Sequence, residues 1–214
     1  MPDYAKSDHW SLKARKESYP ARSVYKLKEM DEKFGLLKTA KPGGTPFKIL
    51  DLGAAPGSWS LYIMRKILTQ KPGEEKDVLL VSVDLAPLSR EFDQGLFDRP
   101  EFVFIRGDFT RSEIRETILS MGPYNLIVSD AAPATSGNRS LDSLRSLAIG
   151  ETVLDYAEAA LTPKGHLAVK IFQGGEAGDL LKAVRKMFDA GKSHKPMSSR
   201  KESFETYFLG LGKK

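Results

Sequence analysis

The chain has no cysteine and only three histidines among its 214 residues. Without cysteine, disulfide frameworks, thiolate catalysis and cysteine-ligated metal sites are excluded, and a reducing compartment is expected. His9, His166 and His194 do not group with one another or with acidic residues at ligand spacing. We therefore expect no metal site.

Long apolar runs are also missing. No window approaches the ~18 apolar residues of a membrane-spanning helix, and the polar, charged residues 1–16 contain no apolar signal region. These absences predict a soluble, cytoplasmic protein that makes no membrane contact.

Positive charge is concentrated near the two ends of the chain. The formal net charge is +5, yet residues 1–28 hold seven Lys/Arg against three Asp/Glu, and residues 182–201 hold seven against one. A concentrated basic surface is typical of proteins that bind nucleic acid, because phosphates supply much of the affinity through counterion release. Solvated helix faces are the alternative explanation for such charge.

Short apolar runs alternate with amphipathic stretches along the sequence. Strands separated by helices of ten or more residues predict a mostly parallel sheet covered by helices on both faces. The last two strands are joined by a loop without a helix, which predicts an antiparallel pair at one edge. The predicted strands are 47–52, 78–84, 102–105, 124–130, 166–172, a weaker one near 194–197, and 206–211, and the predicted helices are 24–34, 58–69, 112–121, 141–161 and 177–190.

The length favours one domain, because domains typically hold ~100–200 residues. We expect a basic, flexible N-terminal segment over residues 1–18 and a single domain over residues 19–214. Two breaks rich in proline and glycine support the element boundaries, one at 41–46 and one at 71–76. The second break is typical of an exposed insertion.

The segment after the first predicted strand reads DLGAAPGSW at 51–59 and forms a strand-to-helix turn. In open α/β sheets this turn usually cradles the ligand, and Gly53 and Gly57 allow close approach of its backbone. The second glycine of a dinucleotide fingerprint is missing. An acidic strand end suits a cationic or zwitterionic ligand such as S-adenosylmethionine, which carries a sulfonium and an ammonium. The expected cofactor contacts on this segment are Asp51, Gly53, Ala54, Pro56, Gly57, Ser58 and Trp59, the last being equally typical of core packing.

Aspartates recur at the ends of the following strands. Asp84 is placed to hydrogen-bond ribose hydroxyls, and Asp108 to accept from the adenine exocyclic amine. Leu85 and Phe109, the next residues, are expected to sandwich the purine. Each aspartate alone is more typical of a helix cap or loop, but together with the glycine loop they favour a nucleoside site that extends to Asp130.

Lys26, Asp130, Lys170 and Glu205 stand where a crossover α/β fold would bring side chains to one cleft. Lys170 interrupts an otherwise apolar strand, where an unpaired buried ammonium would be costly. Taken alone, Lys26 could be a solvated charge, Asp130 a loop cap and Glu205 an ordinary residue near an edge strand. Beside a nucleoside site, the four predict proton or hydroxyl chemistry.

Seven motifs in order closely resemble those of the FtsJ/RrmJ-type RNA 2′-O-ribose methyltransferases. They are RSVYKL at 22–27, DLGAAPGSW at 51–59, VD at 83–84, GDF at 107–109, SDAAP at 129–133, VKIFQG at 169–174 and SSRKESFETY at 198–207. The resemblance covers about residues 19–211. It implies a Rossmann-like methyltransferase domain, S-adenosylmethionine as methyl donor with S-adenosylhomocysteine as product, and a catalytic tetrad on Lys26, Asp130, Lys170 and Glu205.

Two features depart from the family pattern. Ser58 stands where many relatives have a second glycine, and the 71–77 stretch is long for its turn. The first is a change of one small residue for another, and the second lies at the opposite end of the sheet from the cofactor. Neither is expected to affect activity.

The resemblance implies that a monomeric enzyme methylates a ribose 2′-hydroxyl in RNA, with a uridine of large-subunit (23S-type) ribosomal RNA as the expected target. Transfer RNA and messenger RNA cap enzymes share the tetrad and stay as alternatives, as does a non-catalytic ribosome assembly factor. The missing glycine disfavours a nicotinamide-dependent oxidoreductase, and SDAAP disfavours a base methyltransferase. Lys170 could be a general base, favoured by nearby Lys26, or could orient the 2′-oxygen, favoured by nearby carboxylates.

Overall fold

The computed structural model describes residues 8–38, 46–69, 78–175, 177–200 and 202–214. The insertion expected at 71–77, most of the break at 41–46 and the first seven residues of the N-terminal segment lie outside these described residues. The proposed division of the chain at residue 18 stays a prediction.

Seven strands form a single sheet. They are Phe47–Leu52 (β1), Val78–Asp84 (β2), Phe102–Arg106 (β3), Tyr124–Ser129 (β4), Leu161–Phe172 (β5), Phe188–His194 (β6) and Glu205–Lys213 (β7), in the spatial order β3-β2-β1-β4-β5-β7-β6. Strands β1 to β5 pair in parallel, whereas β7 runs antiparallel to both β5 and β6. The mostly parallel sheet with antiparallel pairing at one end is confirmed, and the antiparallel strand lies one place inside the edge.

Helices cover both faces of this sheet, as the alternating pattern predicts. They are His9–Lys16 (α1), Val24–Phe34 (α2), Ser58–Thr69 (α3), Ser112–Met121 (α4), Arg139–Ala160 (α5) and Ala177–Met187 (α6). One core includes Leu27 of α2 and Ile63 of α3, and a second core on the other face includes Tyr156 of α5 and Val184 of α6. The second core has α4, α5 and α6 packed on it.

Local sequence sets the helix limits near the site. Gly35 ends α2 in the left-handed region at φ 71°, and its N–H donates to the carbonyl of Asp31. Asn138 begins α5, where its side chain accepts from the N–H groups of Ser140 and Leu141. Strand order reverses beside β1 and β4, so the ligand crevice is expected at the carboxyl ends of these strands.

Four elements differ from the predictions: α1, β5, α6 and β6. Helix α1 was missed because it is short and polar, and its start depends on Asp8, which accepts from the N–H of Ser11. The weak strand placed near 194–197 is β6 at 188–194, so α6 ends at Met187 and not at residue 190. The β6 sequence has little strand pattern of its own, and it is a strand because it pairs with β7. Strand β5 begins at Leu161, five residues before its predicted start.

Candidate active site

The four predicted tetrad residues come together as two ion pairs. Lys170 on β5 places Nζ 3.0 Å from Oδ1 of Asp130, which follows β4. Lys26 on α2 places Nζ 2.7 Å from Oε1 of Glu205, the first residue of β7. The two pairs are neighbours, because the β5–β7 register sets Lys170 opposite Tyr207, two residues after Glu205.

Both lysines are largely withdrawn from solvent. Their side chains are 11 % exposed for Lys26 and 8 % for Lys170. The alternative that Lys26 is a solvated surface charge is therefore wrong. Buried ammonium groups need partners, and the two carboxylates supply them.

Asp130 is the electrostatic centre of the group. Burial alone would raise its pKa, but the charges of Lys170 and Lys26 and a hydrogen bond from Tyr207 outweigh it, so the pKa of Asp130 lies below its ordinary value. The carboxylate is therefore ionised at neutral pH. Asp130 also binds Lys170 a second time, through its backbone carbonyl.

Tyr207 is a fifth member of the site, outside the predicted tetrad. Its ring is fully buried, and its hydroxyl donates to Oδ1 of Asp130 at 2.5 Å. Burial and the negative charges of Asp130 and Glu205 hold the pKa of Tyr207 well above its ordinary value, so the hydroxyl keeps its proton. Lys26 Nζ lies 5.8 Å from the ring centre. The signal in the sequence was the position of Tyr207 two residues after Glu205, on the same face of a strand.

Two glycines give the glycine loop its backbone conformation. Gly53 adopts φ 77°, and a Cβ added there would lie 2.6 Å from Cα of Ala131. Gly57 adopts φ 104°, another conformation that side chains rarely permit. The N–H groups of Gly53 and Ala54 both donate to the carbonyl of Val83, which ties the loop to the end of β2.

Asp51 is the residue of this loop that most directly fits a cation. Its side chain is fully buried; Ser60 donates to Oδ2 at 2.7 Å, while Oδ1 has no hydrogen-bond partner among the described residues. Burial raises the pKa of Asp51 to about 7, against the opposing hydrogen bond from Ser60 and with help from the Asp130 and Asp84 charges. An unpaired carboxylate oxygen beside a glycine turn fits the ammonium end of S-adenosylmethionine, because it can accept a hydrogen bond from that group.

The other strand-end aspartates are shaped by backbone hydrogen bonds. Asp84 accepts from the N–H of Ala55 at 2.9 Å and from that of Ala86 at 2.8 Å. Asp108 accepts through Oδ1 from both the N–H and the hydroxyl of Thr110, and these bonds lower its pKa. Both carboxylates are thereby fixed in direction at the carboxyl ends of β2 and β3, where a nucleoside is expected.

The two residues predicted to sandwich the purine differ in their surroundings. Leu85 is 67 % exposed, a large apolar side chain with surface to offer. Phe109 is buried in the second core, where its carbonyl accepts from the hydroxyl of Tyr156 at 2.6 Å. The Leu85 side chain is thus accessible to a ligand, whereas Phe109 already packs against protein side chains. The contacts of both residues with the purine stay predictions.

Ser58 and Trp59 hold the segment before α2 against the cofactor helix. The Ser58 hydroxyl accepts from the N–H of Ala21 at 2.8 Å, and the Trp59 indole N–H donates to the carbonyl of Ser23 at 2.8 Å. The Trp59 ring centre lies 5.9 Å from that of Tyr207. Both side chains thus fix the backbone of residues 21–23 next to α3. Their contact with the cofactor stays a prediction.

With this geometry in place, comparison with known proteins identifies the family. Residues 19–213 match the family described as FtsJ-like methyltransferase. The chain belongs to this family. The prediction from the motifs is confirmed, and with it a methyltransferase that uses S-adenosylmethionine.

Relatives match over nearly the whole chain. A protein of Treponema denticola named Ribosomal RNA large subunit methyltransferase E is 42 % identical over 208 residues, which are 97 % of this chain and 96 % of the relative. One of the same name from Syntrophobacter fumaroxidans is 41 % identical over 209 residues, again 97 % and 96 %. Among solved structures, a ribosomal RNA methyltransferase described as putative, from Plasmodium falciparum, has a TM-score of 0.69 at 24 % identity and covers 91 % of this chain and 98 % of its own. This last likeness confirms the Rossmann-like methyltransferase fold.

The described residues also bear on membrane and metal sites. None of their helices is both long and apolar enough to cross a membrane. Within the same residues, no three His, Asp or Glu side chains group in a way that could hold a metal ion.

Proposed function

We propose that this methyltransferase modifies a ribose 2′-hydroxyl of large-subunit ribosomal RNA, with a uridine as the target nucleotide. The observation that carries the proposal is the pairing of Lys170 with Asp130 and of Lys26 with Glu205 beside the acidic glycine loop. The name that these relatives share, Ribosomal RNA large subunit methyltransferase E, supports the choice of RNA.

S-adenosylmethionine, when bound, supplies an electrophilic methyl group on its sulfonium. The residues that would hold it are Asp51 toward the charged methionine end, Asp84 toward the ribose and Asp108 toward the adenine. The exposed side chain of Leu85 would cover one face of the purine. All four stand at the carboxyl ends of β1, β2 and β3 or directly after them.

Lys170 orients the ribose oxygen. A lysine ammonium has three N–H donors, and two are directed at Asp130, one to its carboxylate and one to its backbone carbonyl. The third donor would bind the 2′-oxygen and turn a lone pair toward the methyl group. The C–O bond would form as the bond between methyl and sulfur breaks, which leaves S-adenosylhomocysteine, and the 2′-hydroxyl proton would pass to water while the ammonium stabilises the oxygen. Because Asp130 is ionised, this role fits Lys170 better than that of a general base.

Lys26 and Glu205 complete the charge balance around the oxygen. Lys26 lies close enough to Asp130 to lower its pKa, while Glu205 keeps the Lys26 ammonium paired. The arrangement places two cations and two anions at a site with little access to water. Such a fixed charge pattern stabilises a developing alkoxide without reorganisation.

The large ribosomal subunit is the proposed partner, and the enzyme acts on it as a cytoplasmic monomer. The net charge of +5 favours a polyanionic partner. Transfer RNA and messenger RNA caps are the alternative substrates. The intact tetrad disfavours a purely structural assembly factor, which would not need two buried ion pairs at a cofactor site.

The test uses methyl-labelled S-adenosylmethionine with three substrates: large ribosomal subunits lacking the modification, total transfer RNA, and capped messenger RNA. We expect label in large-subunit RNA, mapped by nuclease digestion to the 2′-oxygen of one nucleotide. Label on a base, or in transfer RNA or cap alone, would contradict the proposal.

A further inference from the structure

A cavity of about 360 Å³ lies beside the tetrad, and none of the four tetrad residues lines it. It is formed between the first turns of α5 and the loop from β5 to α6. Its lining is apolar at Leu144, Leu147 and Phe172, of which Leu144 is exposed. The exposed polar residues of the lining, Arg139, Ser140 and Gln173, form its rim. The volume is at the lower end of the range of small-ligand sites, ~300–1,000 Å³.

Two glycines line the cavity on the side of the loop that follows β5. A Cβ added to Gly174 would lie 2.7 Å from Cβ of Ser143, so glycine allows the loop to lie against α5. A Cβ added to Gly175 would meet no described atom within 4 Å. Gly175 therefore has room for a larger side chain.

The cavity adjoins the reacting group through β5 and β7. Phe172 lies two residues beyond Lys170, about 7 Å along the strand, and is paired in register with Glu205. The ring centres of Phe172 and Phe204 are 4.8 Å apart, and the N–H of Gln173 donates to the carbonyl of Phe204 at 2.8 Å. A ligand in the cavity would thus contact the same two strands that carry Lys170 and Glu205.

The lining suits a nucleobase. The Arg139 guanidinium lies 4.9 Å from the ring centre of Phe204, which makes a flat, cationic wall. An unpaired base offers a π-face for such a wall and for apolar side chains, and a polar edge for the serine and glutamine at the rim. The described residues that line the cavity include no acidic side chain.

We propose that this cavity binds the base of an unpaired nucleotide next to the methylated one. The inference rests on the proposed function, since it needs an RNA substrate. It adds a binding site that fixes which nucleotide presents its ribose to Lys170. Holding the adjacent base limits movement of the strand and so positions the 2′-oxygen.

The first experiment fills the cavity. Gly175→Val places a side chain in the open space, and Gly178→Val is the matched control, because a Cβ at Gly178 also meets no described atom within 4 Å and the residue lies outside the lining. On unmethylated large subunits, we expect Gly175→Val to raise KM for RNA about tenfold, the size expected for losing one stacked base. We expect kcat and S-adenosylmethionine affinity to stay within about twofold, and the control to resemble wild type.

A second pair of variants changes polarity without changing backbone. Leu144→Glu introduces an anion into the cavity, whereas Leu141→Glu places one on the same helix outside it; the two leucines are 53 % and 39 % exposed. Only the Leu144 variant should raise KM for RNA. A normal KM for RNA in both Gly175→Val and Leu144→Glu would overturn the inference. An equal rise of KM in the controls, Gly178→Val and Leu141→Glu, would overturn it as well.

A cross-linking experiment locates the bound nucleotide. A photoreactive benzoylphenylalanine in place of Ser140 at the rim should cross-link within about two nucleotides of the methylated ribose, mapped by primer extension. The same group at Leu141 is the control. Cross-links only to distant nucleotides would overturn the inference, whereas a wild-type enzyme that methylates no ribosomal RNA would overturn the proposed function itself.

Discussion

Tyr207 and Lys170 share one oxygen atom of Asp130. The Tyr207 hydroxyl donates to Oδ1 at 2.5 Å, and Lys170 Nζ lies 3.0 Å from the same oxygen. The other contact of Lys170 is to the backbone carbonyl of Asp130. The direction of the Asp130 carboxylate, and with it the position of the lysine, therefore depends on a phenol that the tetrad does not include.

We predict that Tyr207→Phe lowers kcat by about tenfold while S-adenosylmethionine affinity changes little. Removing the hydroxyl leaves Oδ1 of Asp130 with one partner fewer, which frees the carboxylate to turn and displaces Lys170. Loss of a buried hydrogen bond to a charged group should also cost ~1.5–3 kcal/mol of unfolding free energy. The measurements are kcat on large subunits and urea unfolding.

Tyr124→Phe is the matched control for this variant. Tyr124 is equally buried, and its hydroxyl donates to the carbonyl of Ile118 at 2.7 Å, at the opposite end of β4 from Asp130. Its loss should affect stability and leave kcat unchanged. If both phenylalanine variants lose activity in proportion to stability, the role assigned to Tyr207 is wrong.

Lys170→Ala should abolish methyl transfer with cofactor binding near wild type. The third N–H of Lys170 is the group assigned to the ribose oxygen, and a positioned donor or acid–base group contributes ~10²–10⁴-fold. Lys170→Arg should also fail, because a planar guanidinium cannot reproduce the two contacts to Asp130 and a third to the ribose. Glu205→Ala should cost less, since Glu205 acts through Lys26. Single-turnover methylation of large subunits measures these effects.

The outcome that would contradict this assignment is turnover of Lys170→Ala within a few-fold of wild type. Calorimetric titration with S-adenosylhomocysteine provides the control for an intact cofactor site. If Lys26→Ala then proved the more damaging change, the ribose oxygen would have to be placed at the Lys26–Glu205 pair.

The sequence was sufficient for the parts of the fold that local pattern encodes. Apolar runs bounded by glycine and proline located β1, β2, β4 and β7, and the aspartates that follow strands pointed to one edge of the sheet. Strand β6 could not be found in this way, because Phe188–His194 becomes a strand only through its pairing with β7. Its boundary therefore depends on tertiary contacts that no local window contains.

At the site, residue types could be predicted but partners could not. Motifs indicated which lysines and carboxylates meet, yet nothing in the sequence says that Lys26 pairs with Glu205 and Lys170 with Asp130. Trp59 and Ser58 read as cofactor contacts, while their polar atoms are used to hold residues 21–23. Which groups pair depends on their distances in the folded protein, and the spacing of residues in the sequence does not give those distances.

Asp51 should give the protein a characteristic dependence on pH. Its carboxyl has an unperturbed pKa of 3.8, but burial raises the pKa to about 7 in the folded protein. Between these values the unfolded chain is ionised while the folded protein keeps the proton, so the unfolding free energy should fall as pH rises from about 4 to about 7. In Asp51→Asn this fall should be missing. The melting temperature of the variant minus that of the wild type should therefore be larger at pH 8 than at pH 5.

Cofactor affinity should show the opposite trend. If the Asp51 carboxylate binds the cationic end of S-adenosylmethionine, wild-type affinity rises with pH up to about pH 7, whereas that of Asp51→Asn is weak and independent of pH. Ser60→Ala removes the hydrogen bond that lowers the pKa of Asp51, so it should move the wild-type midpoint to higher pH. Affinity that does not vary with pH in wild type would remove Asp51 from the cofactor site.

The basic surfaces of the two sheet faces should contribute unequally to RNA binding. Helix α2, with Lys28, packs on the same core as the residues around Lys26, whereas α6, with Lys182 and Lys186, packs on the opposite core. We predict that Lys28→Glu weakens RNA binding more than the double change Lys182→Glu and Lys186→Glu. Affinity should fall steeply with salt, and the slope of log K against log salt should drop by about one for each lost phosphate contact.

Arg22 is unsuitable for this comparison, although it lies nearer to Lys26 in sequence than most basic residues. Its guanidinium binds the carboxylate of Asp8 and the carbonyl of Ser198, so reversing its charge would damage the fold around α1 as well as any RNA contact. Lys28 avoids that difficulty, and filter binding over a salt series with circular dichroism as a check on folding makes the measurement. Equal losses of RNA affinity in Lys28→Glu and in the α6 double variant would mean that RNA contacts both faces of the sheet. If RNA contacted only the α2 face, the α6 variant would lose no phosphate contact.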